Sequence, residues 1–483
     1  MDRSWRQDLA VMIAIIIAGS AVTILLGERI GIYRGEGWDG QAYAAWARDF
    51  PKEILETGVT TFKSERILPS AVLYLALSVV GAAHSGDNVI AAFQLFDALA
   101  LVVTAILLVR IALLLGWSRT QTWVAFVATF LGFANAREAL YYPTMTDPAA
   151  FALGMGTVWA YLARRPIAQW VIAFASAFTW PALVAFGFAA SILPRPAEPL
   201  PTTTGRWQRW LAIGLAVAAA AFIVMWFVYV LSNTVGIERW LVRAHHDLYP
   251  VTIACIVIST SLAAYIVARQ PETWSVWPYL RGVGWQRIAF GVVAVAAILV
   301  LRELWHERAG TKGYGFGWRE LRHYYVANAV LGPLWNVVHQ VTYFGPIVLV
   351  AIGAWPRIAA TGSRWGPTAV LTLGIVVISS VSSDARHLLH VMPFIIVITV
   401  TATADWWTPR RAIAFAAIYL VWSKVWLKIG YTSVHDSLSW PDLRFFMQHG
   451  PWASDTTFLA HLIAAVVTAV GLWLLLRQWK RRS

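Results

Sequence analysis

Three short stretches hold the residue types best suited to group transfer at a membrane surface. In the first, Glu36-Gly37-Trp38-Asp39-Gly40-Gln41 sets a carboxylate between two glycines and runs into the amphipathic segment 43–55, YAAWARDFPKEIL, which can lie in the interface with Trp46 and Phe50 turned inward. In the second, Tyr142-Pro143-Thr144-Met145-Thr146-Asp147 puts a carboxylate directly before Pro148 and an apolar run. In the third, Asp384-Ala385-Arg386-His387 precedes Val391-Met392-Pro393. A carboxylate can accept the proton of an attacking hydroxyl, and a guanidinium can hold a departing phosphate through its permanent charge and planar donor fork. Each residue also has a plain structural explanation. Asp39 closes a tight turn, Asp147 caps a helix with proline at its first position, and Arg386 extends its long side chain to lipid head groups.

The elements that must carry these stretches are membrane helices. Of the 483 residues, 59% are hydrophobic and 13% charged, a composition solvated mainly by lipid. Apolar runs at 9–26, 89–109, 207–231, 251–268, 365–382 and 458–476 match the roughly 20 residues that a helical span needs. They are apolar all round, whereas barrel strands alternate, so the fold class is all-α. Shorter runs at 123–136, 148–163, 288–301, 343–355, 391–404 and 412–427 complete a polytopic bundle of about fourteen helices. The run 9–26 lacks a convincing small-residue cleavage site and reads as an uncleaved first span.

A net charge of +13 could suggest a nucleic-acid partner, but its distribution excludes one. Lys and Arg gather in short connections: Arg110 with Arg119, Arg164 with Arg165, 195–209, Arg357 with Arg364, Arg410 with Arg411, and the tail RQWKRRS. That is the signature of cytoplasmic loops. Both termini are then expected in the cytoplasm of a cell whose plasma membrane, such as a bacterial inner membrane, holds the bundle. The segments 27–83, 137–147, 232–250, 302–342, 384–390 and 428–457 fall on the other side, with Asp39, Asp147 and Arg386. The expected division is an N-terminal module 1–193 with its first external loop 27–83, a linker 194–206, and a C-terminal module 207–483 with external loops 302–342 and 384–390. Two segments cannot cross fully without exporting the basic loops. Segment 67–83 must be in-plane or re-entrant, and 167–193 must be two short helices turning near Trp180 and Pro181.

Trp38-Asp39-Gly40-Gln41-Ala42-Tyr43, then Arg66-Ile67-Leu68-Pro69 at the next helix, resembles the start of GT-C membrane glycosyltransferases. The YPTMTD stretch resembles that superfamily's second external motif, and the DARH stretch resembles its late external arginine. The three occur in family order. The resemblance implies a GT-C-like transmembrane bundle with interfacial helices in the first external loop. It also implies an inverting hexosyl- or pentosyltransferase that moves a sugar from a polyprenyl-phosphate donor to an extracytoplasmic glycan, lipid or protein acceptor. Asp39 would then be the catalytic base and Arg386 would bind the lipid phosphate with Arg66 as helper. Asp147 would orient donor or acceptor, with Tyr43 and His387 as further substrate contacts. The chain departs from some members in having one acid at Asp39 rather than an adjacent acidic pair, so the resemblance leaves a divalent metal open without indicating one, and no other cofactor is implied. It also lacks a large C-terminal soluble domain, unlike oligosaccharyltransferases. Two other classes fit part of the pattern. A lipid-linked-sugar flippase or secondary transporter would have inverted repeats around a midplane site, and no repeat is evident. A glycan ligase or polymerase outside GT-C would share the external Arg and His without the Asp39 motif.

Other chemistry-bearing residues are weaker. Asp97, in FQLFDALALVV, is an intramembrane acid that serves either function or a neighbouring helix. His387 with His390, and His245-His246-Asp247, lack the glutamate of a helical zinc motif. Gly313-Tyr314-Gly315-Phe316-Gly317 lacks the Lys-Ser/Thr of a phosphate loop and reads as a mobile loop, with 302–342 as a lid over the acceptor cleft. Cys255, the one cysteine, excludes an intrachain disulfide.

Overall fold

A computed structural model of the chain describes residues 3–57, 63, 65–198, 283–308, 334–380, 384–427 and 455–477, together with 382, 429, 450, 453 and short pieces between 210 and 266. The expectations for His245-His246-Asp247, Cys255, the glycine-rich Gly313 to Gly317 and most of 302–342 lie outside these described residues. Every regular element among them is helical. In chain order they are α1 (Arg3–Leu26), α2 (Gly40–Arg48), α3 (Leu68–Val79), α4 (Gly86–Leu115), α5 (Arg119–Phe130), α6 (Asp147–Leu162), α7 (Pro166–Ala177) and α8 (Ala182–Ile192). There follow α9 (Trp285–Arg308), α10 (Trp335–Phe344), α11 (Ile347–Gly353), α12 (Trp355–Trp365), α13 (Pro367–Ser379), α14 (Met392–Ala402), α15 (Pro409–Ser423) and α16 (Asp455–Arg477). Among the described residues, three helical stretches are long and apolar enough to cross a membrane: Arg3–Leu26, Gly86–Leu115 and Thr457–Leu476. Their outward faces expose large apolar side chains, among them Leu26, Leu95 and Val467, which lipid can cover.

Local chemistry sets the boundaries, and in several places it moves them from the hydropathy pattern. Ser85 caps α4 by accepting the Asn88 N–H, and Gly116 ends it in the left-handed region at φ 65. The helix therefore runs past the expected 89–109, and Arg110 lies on its exposed side rather than in a connection. Ser118 and Gln121 form a reciprocal capping box on α5. Arg410 and Arg411 belong to the first turn of α15, where Thr408 accepts the Arg411 N–H. The segment 43–55 is not one helix. It breaks at Asp49 (φ −146, ψ 75), whose side chain accepts the Lys52 N–H at 3.3 Å as the chain restarts through Pro51. Residues 343–355 are interrupted at Gly345 (φ 87), where a Cβ would lie 2.3 Å from the Tyr419 ring, and the preceding 335–342, expected in a loop, are helical in α10.

The two segments expected not to cross are short. At about 1.5 Å per residue the 12-residue α3 spans roughly 18 Å, less than a hydrocarbon core. Segment 167–193 is a hairpin of α7 and α8 packed along each other and joined through Trp180 and Pro181.

Contacts sort the helix ends into two sets. At one end, Arg119 donates from Nε and Nη2 to Asp8, both at 2.6 Å, and Trp117 Nε1 reaches Thr401 Oγ1 at 3.2 Å. Arg357 pairs with Asp405 at 2.6 Å, and Arg195 donates to the Leu162 carbonyl at 3.3 Å. At the other end, Arg137 bonds Glu28 (2.9 Å) and the Leu427 carbonyl (3.0 Å), Ile30 N–H donates to Tyr141 O (3.0 Å), and Leu68 N–H to Phe178 O (2.9 Å). The large core of the bundle lies between the two ends. A smaller core of Tyr43, Trp46, Leu73, Phe93, Tyr141 and Tyr142 packs the first loop onto the second end.

Candidate functional site

The first two sequence motifs fold onto each other. Gly37 adopts φ +68, and a Cβ there would lie 2.2 Å from the Tyr142 ring. Gly40 N–H donates to Tyr142 Oη at 3.2 Å, and Thr144 Oγ1 donates to the Glu36 carbonyl at 2.7 Å. Glu36 is buried and paired with Arg48. The turn between the glycines is thereby fixed against the loop that leads into α6. Asp39 occupies the cap position of α2 yet makes no side-chain cap bond. Its side chain is 43% exposed, and its ionic neighbour is Lys63 at 3.8 Å. An exposed pair of that kind is worth at most about 1 kcal/mol, so Asp39 remains available to a substrate.

Asp147 is the first residue of α6 and not its cap; that position is Thr146. Asp147 is buried, and its Oδ1 has no hydrogen-bond partner. Burial pushes its carboxyl up, while Arg386 and Arg66 oppose the shift. Capping therefore explains neither acid. The neighbouring Thr146 Oγ1 and both oxygens of Asp97 are also buried without partners, and Asp97 interacts electrostatically with Asp147. Buried polar atoms are nearly always satisfied, so those around Asp147 are suited to hydrogen-bond water or the hydroxyls of a bound molecule.

Arg386 turns inward, with 20% of its side chain exposed, rather than out to lipid. Asp384 caps the turn Ala385–Leu388 by accepting the Arg386 N–H at 2.9 Å. Its Oδ2 also takes Arg386 Nη2 at 3.0 Å and Nε at 3.2 Å. Burial works against the Arg386 charge, but Asp384, Asp147 and Glu138 outweigh it and hold the proton more tightly than usual. Glu138 ends the π-helical turn Ala134–Glu138, is buried, and hydrogen-bonds Tyr343. Burial pushes its carboxyl up to about 8 against the pull of Arg386, with Asp147 and Asp384 adding to the rise.

Arg66 stacks on Trp180 at 4.2 Å from the ring centroid, and Trp180 Nε1 donates to His390 Nδ1 at 3.2 Å. The tip of the α7–α8 hairpin thus supports Arg66 from beneath. Tyr43 is fully buried beside Arg66, Asp39 and Asp147, and burial pushes its hydroxyl up to about 12. His387 shares a hydrogen with Ser382 Oγ, and burial pulls its ring down. Burial takes His390 down to about 3, so it is a neutral acceptor for Trp180. Among the described residues no group of three His, Cys, Asp or Glu could hold a metal ion.

The six residues singled out in the sequence, Asp39, Tyr43, Arg66, Asp147, Arg386 and His387, therefore gather at one end of the bundle. Sequence reasoning missed Glu138, Trp180 and the pairing role of Asp384. Glu138 lies beside Arg137 in the expected external loop, and Trp180 at the expected hairpin turn, so position was the available signal. Chemically, the cluster offers an accessible carboxylate beside a buried carboxyl and two guanidinium groups. Comparison with protein families, curated proteins and solved structures finds no match to the chain.

Proposed function

We propose that the chain is an integral membrane glycosyltransferase of GT-C type, transferring a sugar with inversion from a polyprenyl-phosphate donor to an acceptor hydroxyl on a glycan, lipid or protein. One observation carries the reading. Asp39, Arg66, Asp147 and Arg386, from four separate stretches of the chain, surround one another electrostatically, and neither Asp39 nor Asp147 is consumed as a helix cap. The basic end of the bundle faces the cytoplasm, and the site opens on the extracytoplasmic side.

In this scheme the acceptor oxygen attacks the anomeric carbon as the bond from that carbon to the phosphate oxygen breaks. The acceptor proton passes to Asp39, and the electron pair leaves with the lipid phosphate. Asp384 takes Nε and Nη2 of Arg386, so the phosphate meets Nη1, with Arg66 as the second cation. Asp147 orients a sugar or acceptor hydroxyl through its unpartnered Oδ1. Buried Asp97 supports a transporter reading more than any other residue does, because an unpartnered intramembrane acid is a common ion-coupling group.

The test is transfer from a synthetic polyprenyl-phosphate sugar by the purified full chain in detergent, where no gradient exists. The expected result is turnover with inverted product. Asp39→Asn, which keeps shape and loses basicity, should lower it by about 100-fold or more, roughly 2.7 kcal/mol, with donor binding little changed. Absence of transfer by the intact protein, or near-unaltered turnover by Asp39→Asn, would overturn the assignment.

A further inference from the structure

Two arginines close the α7–α8 hairpin at its base, each reaching across to the chain that flanks the other. Arg164, just after α6, donates from Nη2 to the Pro196 carbonyl at 2.5 Å, and Arg195, just after α8, donates from Nη1 to the Leu162 carbonyl at 3.3 Å. A third segment joins them. Tyr161 Oη donates to the Trp365 carbonyl at 2.7 Å, and a Cβ at Gly366 would lie 2.6 Å from Pro196 Cδ and 3.4 Å from Tyr161 Oη. That segment carries Arg364, and Arg165 stands at the cap position of α7; both are exposed.

Arg119 and Arg357, at the same end of the bundle, are answered by Asp8 and Asp405. The arginines at the hairpin base are not. Both clasp bonds end on neutral carbonyls, and none of the four pairs with a carboxylate among the described residues. Burial pulls the Arg195 guanidinium below its ordinary value; Tyr161 opposes the fall and the like charge of Arg164 adds to it. Two guanidinium groups so placed repel each other, and an anion between them would remove the repulsion. The clasp occupies one N–H of each, and the planar fork has others to offer a phosphate.

Arg164 also holds a place that favours glycine. It follows the cap of α6 at φ 55, with the Arg165 N–H returning to the Ala160 carbonyl at 2.9 Å. Most side chains are disfavoured in that region, so arginine serves this position through its side chain rather than its backbone.

The surface beside the cluster selects the class of anion. α7 begins immediately after Arg165, and Ile167, Val171 and Phe174, at spacings of four and three along it, are 79%, 62% and 49% exposed. Residues so spaced share one face of a helix. We propose that the base of the α7–α8 hairpin binds an anionic phospholipid, with its phosphate held by Arg164 and Arg195, Arg165 and Arg364 at the rim, and an acyl chain along Ile167, Val171 and Phe174. The site lies at the opposite end of the bundle from Asp39 and stands whether or not the chain transfers sugar.

The experiment is native mass spectrometry of the purified full chain, equilibrated in detergent with equimolar phosphatidylglycerol and phosphatidylcholine of matched acyl chains. Two adjacent guanidinium groups should enrich the bound anionic lipid by about 10-fold or more. Arg164→Gln with Arg195→Gln keeps an amide donor at each position and removes both charges, so the ratio should fall to within about 3-fold of unity. Arg165→Gln with Arg364→Gln leaves both clasp bonds in place and should lower the enrichment in part, which keeps the test open if the first pair fails to fold. Arg357→Gln with Arg410→Gln removes the same charge from the same end and should leave the enrichment unchanged. Equal binding of the two lipids by wild type would overturn the proposal. An equal loss in the Arg357 and Arg410 pair would do the same, by showing a diffuse charge effect. Displacement of the bound phosphatidylglycerol by millimolar inorganic phosphate would also overturn it, since the site would then serve a free anion.

Discussion

Replacing Gly40 with alanine sets two effects of opposite sign against each other at the turn that carries Asp39. Gly40 is the first residue of α2, and alanine is the better helix former by up to about 1 kcal/mol, so propensity alone predicts a gain. The packing predicts a loss. A Cβ at Gly40 would lie 1.8 Å from Thr144 Oγ1, 2.8 Å from its Cβ and 2.9 Å from the Tyr142 ring. Thr144 cannot rotate away without giving up its bond to the Glu36 carbonyl, and moving Gly40 instead stretches its own bond to Tyr142. Overpacking costs roughly 1–3 kcal/mol and one compromised buried hydrogen bond about 1 more, so the net expectation is a loss of about 1–3 kcal/mol. A displacement near 1 Å at Asp39 is also enough to lower transfer by about 100-fold. Thermal unfolding in detergent and the transfer assay measure the two consequences. Thr144→Ala removes the atom in the way, so the double variant Gly40→Ala with Thr144→Ala should be more stable than the sum of the two singles, by roughly 1 kcal/mol or more. A Gly40→Ala protein as stable and active as wild type would refute the clamp. So would strict additivity in the cycle.

Arg386→Lys keeps the charge but cannot reproduce the forked contact with Asp384, so polyprenyl-phosphate affinity should fall by about 10-fold or more and Arg386→Ala should be worse. Equal affinity in Arg386→Ala and wild type would remove Arg386 from the site. The pair at the opposite end should be asymmetric, because Asp8 is 7% exposed in its side chain and Arg119 is 60% exposed. Arg119→Ala strands a buried carboxylate and should cost roughly 2–3 kcal/mol, whereas Asp8→Ala leaves a solvated guanidinium and should cost about 1 kcal/mol or less. Equal losses in thermal unfolding would contradict the burial argument. In a Cys255→Ser background, a cysteine at position 39 should react with a membrane-impermeant reagent in sealed cells and one at position 164 should not. Labelling at 164 alone would invert the orientation.

Hydropathy and charge carried the architecture a long way, because lipid leaves the backbone few choices. The charged ends of 167–193 forced a hairpin, and the apolar stretches near α1, α4 and α16 were plain. Boundaries moved where local chemistry outweighed hydropathy. Ser85 and Gly116 lengthen α4 enough to absorb Arg110, and Gly345 splits a run whose hydropathy is continuous because the Tyr419 ring fills the space a side chain would need. Within the cluster, residue types drew attention to Asp39, Asp147 and Arg386, since each stood beside a glycine, a proline or a run of polar residues. Glu138 and Trp180 lacked that prominence. Their roles come from what faces them across the bundle, Arg386 for the one and Arg66 and His390 for the other, and no linear spacing encodes those meetings.

The excess of carboxyl groups around two guanidinium groups has a backbone explanation. Asp39 stands at the start of α2, Asp147 is the first residue of α6, and Asp384 opens the turn Ala385–Leu388. Each acid therefore sits at the amino end of a helical element, where unpaired N–H groups and the helix dipole favour negative charge by roughly 0.3–1 kcal/mol. The same ends would favour a phosphate arriving among them. Glu138 lies inside the continuous helical stretch 133–141, where the turn Ala134–Glu138 runs directly into Ala139–Tyr141, so no free helix end acts on it. Burial, with Asp147 and Asp384, raises the Glu138 carboxyl without help from a helix end, while at the other three acids backbone polarity opposes protonation. An incoming phosphate would meet amino ends and two guanidinium groups, a set that can bind it although the formal charges of the carboxylates alone would oppose it.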